Sequence, residues 1–241
     1  MASIGSGEQR SLGSGIVVSI SVIIPTLNEA ERIGPLIHAT RGVGECEIVV
    51  VDGGSSDATL EQAAEADLVL SSPRGRATQQ NAGAAAAGGD VLLFLHADCC
   101  LQFGSFESVA EALQDPRAVA GCFRQRIDAD GWRYRLLERG NAARVKVWKW
   151  AYGDQGIFVR RDVFEDVGGF PELKLMEDLY LMKRLKKRGR IVQISPPLVV
   201  SARRWQRAGI LRQTLRNWAL LALAGGGVHP DRLARFYPPV R

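Results

Sequence analysis

The stretch VLLFLHADCC, residues 91–100, decides how the chain is read. Val91–Leu95 is an unbroken apolar run of the length and character of a buried strand. It then stops in His96 and Asp98 rather than in a glycine or a proline. A carboxylate just past the carboxyl end of a buried strand is either a turn former or a working group facing a cleft.

Three more runs of the same kind precede it. SVIIP (21–25), CEIVVVD (46–52) and DLVLSS (67–72) each read as an apolar strand. Between them lie helical segments: EAERIGPLIHAT, read as a helix interrupted by Pro35; SSDATLEQAAEA, with Ser55, Ser56 or Asp57 as its cap; and the alanine-rich GRATQQNAGAAAAGG. Strands alternating with helices predict parallel pairing and an α/β/α sandwich. After Asp115 the rhythm changes. AVAGCFRQRI reads as a longer strand, WRYRLLERGNAARVKVWKW as a basic amphipathic helix, and GIFVRRDVFEDVGGF as a strand and a short helix. EDLYLMKRLKKRG is helical, IVQISPPLVVSARRW extended, and LRQTLRNWALLALA helical again.

The 241 residues are enough for one large domain, and 46% hydrophobic with 24% charged residues is ordinary globular composition. A net charge of +5 favours an anionic ligand or surface. The opening MASIGSGEQRSLGSG lacks an apolar core and reads as a flexible leader over 1–15, not a signal peptide. The remainder, 16–241, is read as one domain: 16–115 a nucleotide half, 116–205 an acceptor half, 206–241 a helical segment. No stretch reaches the roughly 18 apolar residues of a membrane span. Cys46, Cys99, Cys100 and Cys122 show no metal-ligand spacing, and reduced thiols in a cytoplasmic protein are expected.

In a parallel sheet, ligands bind beyond the carboxyl ends of the strands. Here those ends carry Pro25–Glu29, Asp52–Asp57 and His96–Asp98. Turn and cap duty is the plainer role for Asp52 and Asp57. Neither a Gly-x-Gly-x-x-Gly after the first strand nor a phosphate-binding Gly-Lys-Ser/Thr loop is present, which removes support from dinucleotide and P-loop readings.

Taken in order, SVIIPTLNEAERI, EIVVVDGGSSDAT, RGRATQQNAGAAAAGGDVLLFLHAD, GDQGIFVRRDVFEDVGGFPELKLMEDLYLMKRLKKRG and SARRW resemble the family-2 glycosyltransferases of GT-A fold, over about residues 20–205. FLHAD and LMED look most like the subgroup called radical-SAM/selenodomain-associated transferase 2, some of whose members carry an arsenosugar-biosynthesis label. The resemblance implies a metal-dependent, inverting, hexosyltransferase-type enzyme with a nucleoside-diphosphate sugar donor, UDP-linked by expectation. It implies that Pro25, Leu27 and Glu29 lie along the donor's base and ribose, and that Asp52 hydrogen-bonds the base. Arg76 would reach base or diphosphate.

Asp98 stands at the second position of the family's Asp-x-Asp signature and would ligate Mn²⁺ or Mg²⁺, hard cations that prefer oxygen. His96 replaces the first Asp, leaves the ribose as its partner, and removes one negative charge. Asp178 matches the catalytic base and Glu177 its neighbour, although two acids at a helix start also suit the dipole. Arg204 and Trp205 match the end of a Gln-x-x-Arg-Trp motif whose Gln is Ser201 here, which argues against a processive synthase. A nucleotidyltransferase of similar core, and a basic module binding a membrane or RNA through Trp132–Trp150 and Arg203–Arg216, are the alternatives. The acceptor is open (lipid, small metabolite or glycan), and peripheral contact with the inner face of a membrane is compatible with the basic segments. No nucleic acid partner is expected.

Overall fold

The computed structural model describes residues 18–237; the leader expected over 1–15 lies outside them. β1 (Ile20–Thr26), α1 (Ala30–Arg41), β2 (Glu47–Asp52), α2 (Thr59–Gln62), β3 (Leu68–Ser71), α3 (Arg76–Ala86) and β4 (Val91–Phe94) form the first half. β5 (Cys99–Cys100), α4 (Ser105–Ala112), β6 (Ala118–Asp128), α5 (Trp132–Trp148), β7 (Ile157–Arg160) and α6 (Arg161–Asp166) follow. The described chain ends with α7 (Glu177–Leu185), β8 (Arg190–Ser201), α8 (Arg203–Ala208), α9 (Ile210–Gly225) and α10 (Pro230–Leu233).

One eight-stranded sheet runs in the order β3-β2-β1-β4-β7-β6-β8-β5. β3, β2, β1 and β4 are mutually parallel, as are β6 and β8; the antiparallel pairs are β4–β7, β6–β7 and β5–β8. Alternation along the strands makes two cores. Val22, Ile24, Ile48, Val50, Val91 and Leu93 face α1 and α4. Ile23, Val49, Val51, Leu92 and Phe94 face α3, α6 and α7. The result is the three-layer sandwich that the strand–helix alternation predicts.

α3 lies unusually close to the sheet. A Cβ on Gly83 would stand 2.5 Å from Ile23 Cγ2 and 2.9 Å from Val51 Cγ2, so the lack of a side chain at Gly83 is what allows the approach. Behind it, buried Gln79 donates through Nε2 to the carbonyls of Thr26 and Val51, 2.8 Å each, and so closes the ends of β1 and β2.

Four local readings need correction. Pro35 sits inside α1 without interrupting it; the ring costs one backbone hydrogen bond, and buried Ile33, Leu36 and Ile37 hold the helix down on either side. The helix after Asp57 is a single turn, Thr59–Gln62. α5 is less amphipathic than its sequence implies, with Val145 alone buried. SARRW is not extended throughout: β8 stops at Ser201 and α8 begins at Arg203.

Candidate functional site

The register carries the strand ends to one edge. Thr26 pairs with Asp52 and Ile23 with Phe94, so the loops after β1, β2 and β4 emerge side by side. β5 then pairs with β8, Cys99 opposite Val200, and the Ser201 N–H donates to the Asp98 carbonyl at 3.0 Å. That pairing sets SARRW beside HAD, about a hundred residues apart in the chain.

Arg76, His96, Asp98, Asp178, Arg204 and Trp205 line one cleft of about 120 Å³, together with Tyr152, Gly153 and Asp154 and with Gln213, Asn217 and Tyr237 of the C-terminal segment. Six of the eleven residues singled out from sequence therefore meet. Glu177 lies behind them, 2% exposed, held by Arg76 in a two-pronged pair: Nε to Oε1 at 2.7 Å, Nη2 to Oε2 at 3.3 Å. Burial pushes the Glu177 carboxyl up, and the Arg76 guanidinium pulls it back. This pair joins the start of α3 to the start of α7 and fixes where Asp178 points.

Asp178 accepts the Gly153 N–H at 2.8 Å on Oδ2 and the Leu179 N–H at 2.7 Å on Oδ1. One backbone donor per oxygen orients the carboxylate and leaves lone pairs on the cleft side. Met176, just ahead of the helix, adopts a left-handed conformation (φ 65°) that makes the sharp entry to α7. Gly153 also abuts His96, since a Cβ there would lie 2.5 Å from Nε2. Burial, then the charge of Arg76, lowers the His96 imidazole to about 4, so the ring is neutral near pH 7.

Pro25, Leu27, Glu29 and Asp52 lie beside this cleft rather than in its lining. Asp52, 1% exposed, serves its own loop: Oδ2 accepts from Gly54 N (2.9 Å) and Ser55 N (2.8 Å), and Oδ1 from the Ser55 hydroxyl. These contacts give Asp52 the turn role that the sequence also offered. Asp57 ties two helix starts, accepting from Thr59 N at 3.1 Å and Ala30 N at 3.3 Å. Glu29 is linked to the cleft through a residue the sequence did not single out. Arg203 Nη2 lies 3.1 Å from Glu29 Oε1 and 3.4 Å from Asp98 Oδ2.

Among the described residues no three His, Cys, Asp or Glu side chains gather as a metal cluster. The Glu29–Asp98 pair nevertheless converges on one cation, the Arg203 guanidinium. The donor set therefore fits a hard cation whose remaining ligands are phosphate oxygens.

Trp205 lines the cleft and also packs on the core that faces α1 and α4. Arg204 donates to the Tyr237 hydroxyl, and Arg216 stands 4.8 Å over the same ring. Asp154, held by Gln125 Nε2 at 2.8 Å, and Tyr152, whose buried hydroxyl has no partner among the described residues, complete the far wall. Both sit beside or within the quoted GDQG piece, which the sequence reading used only as a family match.

A model of the family described as glycosyl transferase family 2 matches residues 21–170, well over half of the chain. The glycosyltransferase AglE of Haloferax volcanii is 29% identical over 178 residues, covering 63% of this chain and 56% of that protein, so the chain spans little more than half the length of this curated relative. Among solved structures, S. aureus TarS 1-349 in complex with UDP-GlcNAc superposes with a TM-score of 0.61 at 19% identity, covering 76% of this chain and 58% of that one. The mannosyltransferase PcManGT of Pyrobaculum calidifontis, in complex with GDP-Man and Mn²⁺, gives 0.59 at 24% identity, with 76% and 56% covered. Glucosyl-3-phosphoglycerate synthase of Mycobacterium tuberculosis, with Mn²⁺, UDP and glucosyl-3-phosphoglycerate, gives 0.57 at 20%, with 77% and 71% covered. These structural likenesses speak for the fold alone, which is the GT-A arrangement.

Proposed function

The chain belongs to glycosyltransferase family 2, and from that premise we propose a metal-dependent, inverting transfer of a hexosyl group from a UDP-linked donor to an acceptor hydroxyl. The observation that carries this reading is the meeting of Asp178, from the start of α7, with Asp98, from the end of β4, in one cleft walled by Arg76 and Arg204. Asp178 takes the acceptor proton as that oxygen attacks the anomeric carbon from the face opposite the diphosphate. The anomeric C–O bond breaks, and its electron pair leaves with the nucleoside diphosphate. Arg76 and Arg204 offer positive charge to that leaving group. A divalent cation held at Asp98 would supply further neutralisation of the diphosphate. His96, neutral, is left to hydrogen-bond the donor's ribose. Pro25, Leu27 and Glu29 flank the base and ribose, and Asp52 shapes their pocket through the 53–55 loop.

The two halves, 16–115 and 116–205, divide donor from acceptor duties, and the described part of the C-terminal segment walls the cleft through Gln213, Asn217 and Tyr237. FLHAD and LMED support a reading of the chain within the radical-SAM/selenodomain-associated subgroup, which they resemble. A cleft of about 120 Å³ is smaller than the roughly 300–1,000 Å³ of a ligand pocket, so donor entry requires the C-terminal wall to yield.

The test is a panel of UDP- and GDP-sugars with Mn²⁺, read by thermal shift, followed by turnover with an acceptor alcohol that supports it. Donor-specific stabilisation is expected, and Asp178→Asn should lower turnover by about 10²–10⁴ while nucleotide affinity stays near wild type. Near wild-type turnover in Asp178→Asn would remove Asp178 as base.

One observation favours a location at a membrane surface. No described helix is long and apolar enough to cross a bilayer, yet the outer face of α9 exposes Leu211, Leu215 and Trp218. Between Asp178 and Asp231 the chain has eleven lysines and arginines and no acid. An apolar stripe in an acid-free basic setting suits the anionic inner face of a membrane.

A further inference from the structure

Arg203 holds two carboxylates with one nitrogen. Its Nη2 is 3.1 Å from Glu29 Oε1 and 3.4 Å from Asp98 Oδ2, and the side chains are only 19%, 18% and 14% exposed. Glu29 is held from both sides, because its other oxygen pairs with Arg32 at 2.8 Å. The partners stand 174 and 105 residues away in the chain, so the arrangement is tertiary and not a local helix-face pair.

Two half-buried carboxylates pointed at one spot repel unless a cation sits between them. Mg²⁺ would take oxygens at about 2.0–2.1 Å; a guanidinium nitrogen at ordinary hydrogen-bond distance claims the same spot. We infer that Arg203 is the resident counter-cation of the Glu29–Asp98 pair, a positioning residue that keeps divalent metal off Asp98 until a diphosphate arrives and draws the guanidinium to itself. The inference rests on the reading of Asp98 as the cation-binding carboxylate.

Phosphate is the better partner for Arg203 once present, since it carries more charge and matches the planar fork. One departure then frees both groups assigned to the donor complex: Asp98 Oδ2 for the cation and Glu29 Oε1 for the donor. It also gives His96 a place in the scheme. With an imidazole where a second carboxylate could stand, Glu29 and Asp98 are the two carboxylates that Arg203 has to hold. The enzyme therefore binds metal with its nucleotide and not ahead of it.

The experiment follows free Mn²⁺ by electron paramagnetic resonance in titrations of the full chain, alone and with UDP or GDP. Wild type, Arg203→Met and Arg203→Lys are compared after melting curves show them folded. Wild type should bind Mn²⁺ weakly alone and more tightly with nucleotide. Arg203→Met should tighten nucleotide-free Mn²⁺ binding by about tenfold, equivalent to ~1.4 kcal/mol, and weaken the nucleotide. Arg203→Lys, which keeps the charge, should restore the wild-type order. Adding Asp98→Ala to Arg203→Met should abolish the gain. The inference is overturned if wild type binds Mn²⁺ with nucleotide while Arg203→Met leaves nucleotide-free binding unchanged or weaker. Absence of Mn²⁺ binding in every variant, with both nucleotides, would instead overturn the cation reading of Asp98 and the inference with it.

Discussion

Across the cleft, the β1–β4 side and the α8–α10 side are held by different forces. On the first, Val22, Ile23, Ile24, Val49, Val50, Leu92, Leu93 and Phe94 are all 0% exposed, and the functional loops emerge from strands fixed by register. On the second, a small cluster of Leu175, Met176, Leu179, Leu220 and Leu233 anchors the helices. Polar clasps do the rest: Arg204 to Tyr237, Arg216 to Gln213, and the Lys174 N–H to Asp231 at 2.8 Å. Leu211, Leu215, Trp218 and Leu223 remain exposed. Local opening follows buried apolar contact, so the second side opens at lower cost. The fold thus fixes the groups on the strand side of the cleft and leaves the opposite wall the easier one to open.

The largest stability effect should come from the rigid side. Gly83→Ala drives a methyl to 2.5 Å from Ile23 Cγ2 and 2.9 Å from Val51 Cγ2. Both neighbours are core atoms of central strands and cannot give way. Overpacking of this kind costs about 1–3 kcal/mol, and urea denaturation should show a lower midpoint with unchanged slope. A midpoint equal to wild type would mean that α3 can lift from the sheet, and the contrast between the two sides would fail on its strong side.

The rigid side was also the legible one. Four apolar runs of strand length, separated by helical patterns, are short-range signals, and the sheet they predict is the sheet that forms. His96 and Asp98 were legible for the same reason, since they interrupt an otherwise apolar run, whereas Asp178 was picked out by the family resemblance of its Glu-Asp pair at a helix start. Arg203 carried no such signal. Its partners are set by the β5–β8 pairing, and as one arginine in a basic stretch it looks like its neighbours. Asp52 shows the plainer of its two readings, the turn. A strand-end carboxylate followed by GGSS has backbone and hydroxyl donors at hand, and they consumed it. Pro35 shows the same limit, since a local breaker yields when the helix around it has a core to bury.

A smaller effect is expected from the movable wall. Tyr237→Phe keeps the ring under Arg216 and removes the hydroxyl that accepts from Arg204 and, at 3.5 Å, from Gln213 Nε2. The loss should be about 0.5–1.5 kcal/mol, confined to this wall. Amide exchange followed by mass spectrometry should quicken in α9 and α10 and stay constant in β1, β2 and β4. Uniform quickening across both sides would show that the two unfold as one unit and would erase the distinction drawn here.

The smallest stability effect belongs to the outer face of α9. Leu215 and Trp218 are 66% and 61% exposed, while Gln213 and Leu220, on the opposite face of the same helix, are buried. A surface helix of a globular domain normally presents its polar residues to water; here the solvent side is the apolar one. Replacing both residues with glutamine should therefore change the unfolding free energy by no more than about 0.5 kcal/mol, and a slight gain in solubility is the expected sign. The consequence should appear at a surface instead. Burying side chains of this size is worth about 1.5–3 kcal/mol each, and each arginine beside an anionic bilayer adds about 1 kcal/mol, with Arg207 and Arg212 exposed nearby. Wild type should co-float with phosphatidylserine-containing vesicles, less so as salt rises, and the double variant should lose most of that binding. A second copy of the chain is a poor occupant of the stripe, because two acid-free basic faces would repel; sedimentation showing a wild-type dimer that the double variant breaks would reverse that judgement. Vesicle binding equal in both proteins would remove α9 as the contact. A large loss of stability in the variant would mean that the exposed face is packed in solution, and that the two sides of the cleft are more alike than their burial shows.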